Sequence, residues 1–195
     1  MGLRIERKQD KRVVHACTHN LADIPNGVTV SAADLIAGSV LQEGTALGKD
    51  SAGLYHVVKT ARLTEAATTS TTAYKVEKGH HFKEGDFVML KKGGKAYAIA
   101  SINKANAAYD EITVGTSLGV AAAIGGALMQ AAAESTGTSS AFKYQPKAMT
   151  GDSYTVEALS NHAVVAVTIG QFKESVIPAV GDDIKAAFAG SIVFI

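Results

Sequence analysis

The sequence predicts a mainly β protein: a small β-barrel or sandwich domain with additional β segments and one short C-terminal helix. Three observations lead there. Nineteen glycines against three prolines in 195 residues, with many threonines and serines, suit short strands joined by tight turns. Runs such as YKVEKG, AYAIASIN and DEITVG are strand-like and end in turn residues, spaced as a small barrel or sandwich would space them. Near the end, DDIKAAF carries helix signals, with Asp182 as the expected cap and Gly190 just past the last turn.

Each element can be justified in chain order. The first twelve residues set Arg4, Arg7, Lys8, Lys11 and Arg12 against Glu6 and Asp10, a basic arm of net +3 that reads as a solvated segment or a dock for an acidic partner. Val13 to Thr18 reads as a first strand, IPNG at 24–27 as a turn, and VTVSAADL as a strand running into a short turn. From Gly38 to Arg62, SVLQEG, TALGKDSAG and LYHVVKTARL read as β-hairpin material. TEAATTSTTA, at 64–73, marks a boundary and reads as an ordered, threonine-rich strand.

A short pattern recurs further on. GTAL from Gly44, GDFV from Gly85 and GGAL from Gly125 each read as a turn feeding a strand. The stretch Leu118 to Glu134 fits a helix by its alanines and strands by its adjacent glycines and the recurrence, so both readings stay open. VEALS and AVVAVTIGQF read as strands, the second buried on both faces. The final SIVFI is a bare apolar strand that must be paired within the subunit or buried between subunits, which makes Ile192, Val193, Phe194 and Ile195 the candidate oligomer interface. In chain order this gives a β-rich N-terminal part at 1–63, a barrel or sandwich at 64–150, and a C-terminal β segment at 151–195.

Composition narrows the function classes. A balance of 19 basic to 18 acidic residues offers no general field for nucleic acid or an acidic membrane. One cysteine makes no internal disulfide, and MGLRIERKQD has no apolar run after its charges, so the expectation is a soluble protein made in a cytoplasm. Six per cent aromatics and no tryptophan predict a core of small and β-branched side chains and leave no platform for a sugar ring.

Four stretches could carry chemistry. EGTALGKD resembles a phosphate loop, but its glycine spacing is one short and Asp50 stands where a hydroxyl should reach a metal ion. His15, Cys17 and His19 would share one face of an extended strand and suit zinc, yet no further ligand pair with matching spacing follows. His80 and His81, beside Glu84 and Asp86, could form an acid–base site, although KEGD also reads as a charged turn anchored by Phe82 and Phe87. Lys91, Lys92 and Lys95 with Tyr97 form the nearest thing to a nucleic-acid stripe, equally well read as a solubilising turn. No GxSxG elbow is present, and the reading assigns no catalytic residue, no metal and no cofactor.

One resemblance extends this. EGTALGKDSAGLYHVVKTARLTE, TTAYKVEKGHHFKEGDFV, AYAIASINKANAAYDEITVGTSLG, ALMQAAAES and the closing AVVAVTIGQFKESVIPAVGDDIKAAFAGSIVFI, in that order, resemble head fibre or capsid decoration proteins of tailed phages and prophages of gut Bacteroides-type bacteria. The resemblance covers most of 38–195. It implies a non-catalytic structural protein on the exterior of a virion, partnered by a major capsid protein, with homotrimers expected and the basic arm Arg4, Arg7, Lys8, Lys11 and Arg12 as the first contact. The alternative it leaves is a receptor- or glycan-binding module of a phage tail or baseplate, with a host surface glycan as ligand.

Overall fold

The structure, a computed structural model, describes residues 14–158 and 160–195, so the five cations of the basic arm lie outside the described residues. The mainly β expectation holds. In chain order the strands are β1 (Cys17–Asp23), β2 (Val28–Val30), β3 (Val40–Leu41), β4 (Ala46–Lys49), β5 (Tyr55–Val57), β6 (Thr60–Arg62), β7 (Ala73–Val76) and β8 (Phe87–Met89). They continue as β9 (Tyr97–Asn103), β10 (Asp110–Val114), β11 (Ala127–Gln130), β12 (Pro146–Thr150), β13 (Tyr154–Thr155), β14 (His162–Val164) and β15 (Ala166–Phe172). The helix α1 (Asp182–Ala187) and the strand β16 (Ile192–Phe194) follow.

Six strands make a barrel. They pair antiparallel in the order β6-β11-β8-β9-β10-β7. The ring closes where Leu63 bridges Val76, with Thr64 N–H on the Lys75 carbonyl at 2.9 Å and Glu77 N–H on the Arg62 carbonyl at 2.8 Å. Closure leaves this sheet no open edge. Its interior is filled by Leu63, Tyr74, Val76, Phe82, Val88, Ile99, Ile112 and Leu128.

The larger sheet draws on both ends of the chain, in the order β1-β15-β12-β4-β5-β2-β14, with β16 parallel beside β15. The sheets therefore cut across the chain-order parts 1–63, 64–150 and 151–195: strands from 17–57 and 146–194 share the larger sheet, apart from β3 and β13, which pair with each other, and the barrel strands, 60–130, lie between them in sequence.

Side-chain alternation makes this a layered molecule. In β4 and β12, Ala46 and Met149 face the barrel wall and α1, while Leu47 and Ala148 face the opposite way, under Leu35, Leu41 and Val156. In β11, Leu128 points into the barrel, whereas Ala127 and Met129 point out at the larger sheet, so all four of its residues are buried. The larger sheet thus packs one face on the barrel and covers the other with the connection after β2.

Several elements differ from expectation for local reasons. The open question at Leu118–Glu134 resolves as a turn and strand β11, because Gly125 sits at φ 86°, a left-handed conformation that ends any helix there. The recurrence is real: Gly44, Gly85 and Gly125 all have positive φ, and β4, β8 and β11 each begin two residues later. TEAATTSTTA is ordered but is not a strand before Ala73; Thr68 and Thr71 close a turn on each other instead. Val156–Ala158 carries no strand either, and Gly181, not Asp182, occupies the cap position of α1.

Candidate functional site

The glycine stretch at 43–50 is a hairpin. β4 and β5 are joined by a turn in which Asp50 N–H meets the Leu54 carbonyl and the Asp50 carboxylate accepts the Leu54 N–H, both at 2.9 Å. The carboxylate that spoils a phosphate loop is therefore what closes the turn. Its second oxygen reaches His56 Nε2 at 3.2 Å, while Asp34 takes His56 Nδ1 at 2.8 Å.

This Asp34–His56–Asp50 group is a polar cluster that sequence reading missed. Tyr144 stacks on His56 at 4.1 Å between ring centroids, nearly parallel, and donates its hydroxyl to Asp34 at 3.2 Å. Lys143 adds a bond to the other Asp34 oxygen at 3.1 Å. Burial works to raise the Asp34 carboxyl, but its bonds from His56 and Lys143 outweigh that and hold it below the usual carboxylate range. Both nitrogens of His56 face carboxylates. The cluster ties the turn after β2, the β4–β5 hairpin and the chain before β12 together.

His15, Cys17 and His19 do not share a face. A bulge between Cys17 and His19 pairs them with the adjacent residues Phe172 and Gln171, so Cys17 turns toward the core and His19 toward solvent. Burial, followed by the Glu43 carboxylate, pushes the Cys17 thiol above its ordinary value, the reverse of what a nucleophile or zinc ligand needs. Glu43 itself is buried and accepts the N–H groups of Ala16 and Cys17 at 3.0 and 2.8 Å. Among the described residues no three His, Cys, Asp or Glu side chains are grouped to hold a metal ion.

His80 and His81 are both buried and line one cleft with Lys59, whereas Asp86 contacts neither ring and serves as the partner of Lys59. KEGD is a turn, with Lys83 N–H on the Asp86 carboxylate at 2.9 Å, and Glu84 lies on the surface. Asp86 is the partner of Lys59, whose ammonium is 1% exposed and 2.7 Å away. Gln130 binds the other Asp86 oxygen at 3.2 Å. Burial lowers the Lys59 ammonium from its ordinary value, against the opposing pull of Asp86. The cleft beside this pair holds about 80 Å³, room for a few waters, between the barrel and the larger sheet.

The lysine turn lies at the surface, with Lys91 and Lys92 exposed: Lys92 N–H binds Asp183 at 2.7 Å, its ammonium lies 5.9 Å from the Phe142 ring centre, and Tyr97 packs against the barrel core. No helix among the described residues is long and apolar enough to cross a membrane.

The C-terminal strand is paired within the chain, Gly170 to Ile192 and Gln171 to Val193. Ile192 is buried, Phe194 is partly covered, and Val193 and Ile195 are 55% and 56% exposed. Register places Ile169 and His19 on the same outward face as Val193, and Leu21 is exposed on the neighbouring β1. AVVAVTIGQF is accordingly not buried on both faces: Val165 and Ile169 reach solvent. Comparison with known proteins adds no neighbour: no family model, curated protein or solved structure matches this chain.

Proposed function

We propose that this chain is a non-catalytic structural protein of a tailed-phage virion, a head fibre or decoration protein held on the capsid exterior as a homotrimer. The observation that carries the reading is the outward face of β1, β15 and β16, where Ile169, Val193 and Ile195 stand exposed beside Leu21 on an otherwise well-packed sheet. Clustered exposed aliphatics mark adhesion. The polar chemistry supports the same reading, since each of the six histidines meets a group inside the chain: Glu43, Gln171, Asp34 with Asp50, the Phe82 N–H, Ser39 and the Glu157 N–H. Order and content of the sequence pieces that resemble head fibre proteins supply the virion context.

In this reading the basic arm makes the first capsid contact and repeated weak contacts from several chains add up through effective concentration. The test is capsid occupancy of two variants. Deletion of residues 1–12 should lower occupancy at least tenfold, and Val193→Asp with Ile195→Asp should abolish trimers while leaving the fold intact. Unchanged occupancy and assembly in both would remove the proposal's two contact surfaces. Saturable binding on a glycan array would instead favour the tail receptor-binding alternative.

A further inference from the structure

We propose that His80, His81 and Phe82 form an acid-released plug that closes the barrel against the turn before β3. Phe82 is the plug proper, 1% exposed within the barrel interior. It is held by the imidazole two residues earlier: Phe82 N–H donates to His80 Nδ1 at 3.2 Å. That bond fixes the tautomer, because Nδ1 must be bare and the ring proton must sit on Nε2, which is buried 3.3 Å from the Asp110 carboxylate without a hydrogen bond to it. A second proton on His80 can only land on Nδ1. It would set one N–H against another and drive Phe82 N–H off its acceptor.

His81 adds the contact to the segment that covers the larger sheet, its Nδ1 lying 3.4 Å from Ser39 Oγ in the turn before β3, which pairs with β13 in a two-stranded sheet of its own. The charges around the two rings refuse further protons. From the β5–β6 connection comes Lys59, paired with Asp86; from the plug's own loop, Lys83, which also binds the Ala33 carbonyl. From the barrel come Lys78, paired with Asp110, and Lys104, while Arg62 and Glu77 line the cleft. Five cations thus stand against three carboxylates. Burial keeps both rings neutral: His80 is lowered by burial against the pull of Asp110, and His81 is lowered by burial and then Lys59 to about 4. An acid medium therefore selects the conformation in which the segment has left its seat.

Hydrogen exchange of the full chain at pH 7.5 and pH 4, corrected for intrinsic rates, tests this. The expected result is a loss of protection of tenfold or more at residues 79–83 and 36–41, with β9, β10 and β15 retaining theirs. His80→Gln with His81→Gln should keep that segment protected at pH 4. Unchanged protection in the wild-type chain overturns the proposal, and so does simultaneous loss over every strand, which would be global acid unfolding. A double variant with the wild-type acid response overturns it too. Should the double variant not fold, His81→Gln alone replaces it, with a weaker acid response expected and an identical one contradicting.

Discussion

Lys59 and Asp86 illustrate what single residues contribute. A lysine 1% exposed beside one carboxylate is costly to isolate and cheap to replace together with its partner. Asp86→Ala should destabilise the chain by about 3–5 kcal/mol, because the ammonium and the Gln130 amide both lose their acceptor. Lys59→Met with Asp86→Leu should cost far less, within about 1–2 kcal/mol of wild type. Urea midpoints of the three proteins decide the matter; equal losses in the single and double variants would show that the pair is not desolvated. His81 gives the pH dependence. The unfolded chain binds a proton near 6.5 while the folded ring resists until about 4, so stability is full above 6.5 and falls as pH drops toward 4. The loss reaches about 3 kcal/mol below that range, and His81→Gln should flatten that limb of a stability-against-pH curve.

Elements were legible where the signal was local. Turn glycines told their story, since a left-handed residue followed by alternating side chains leaves few alternatives, and Gly44, Gly85 and Gly125 each start a strand as read. The helix at 182–187 was readable from Asp182 to the glycine beyond it. What was not legible depended on long-range pairing. Nothing within HACTH announces that a bulge will send Cys17 and His19 to opposite faces, and nothing near His56 announces Asp34 and Tyr144, the latter 88 residues further along the chain. The same tight pairing makes Gly170 a sensitive point of β15. A Cβ there would lie 2.6 Å from the His19 carbonyl oxygen, a backbone atom of β1. Gly170→Ala should push β1 off the sheet edge, read as faster amide exchange over residues 17–23 with the barrel strands unaffected; unchanged exchange would mean that β1 is not seated as described.

Across the whole molecule, a closed barrel packed on one face of an eight-stranded sheet leaves Leu21, Ile169, Val193 and Ile195 exposed on β1, β15 and the C-terminal strand, the surface proposed for association. Light scattering at high concentration should give three times the mass of one 20.1 kDa chain, and a persistent monomer would confine assembly to the virion. The central claim is attachment to a capsid without catalysis. Co-sedimentation of the full chain with tailed-phage capsids that lack it, the partner proposed above, addresses that claim most directly. The account predicts saturable, stoichiometric occupancy in multiples of three; absence of the chain from the capsid fraction at saturating concentration would contradict it.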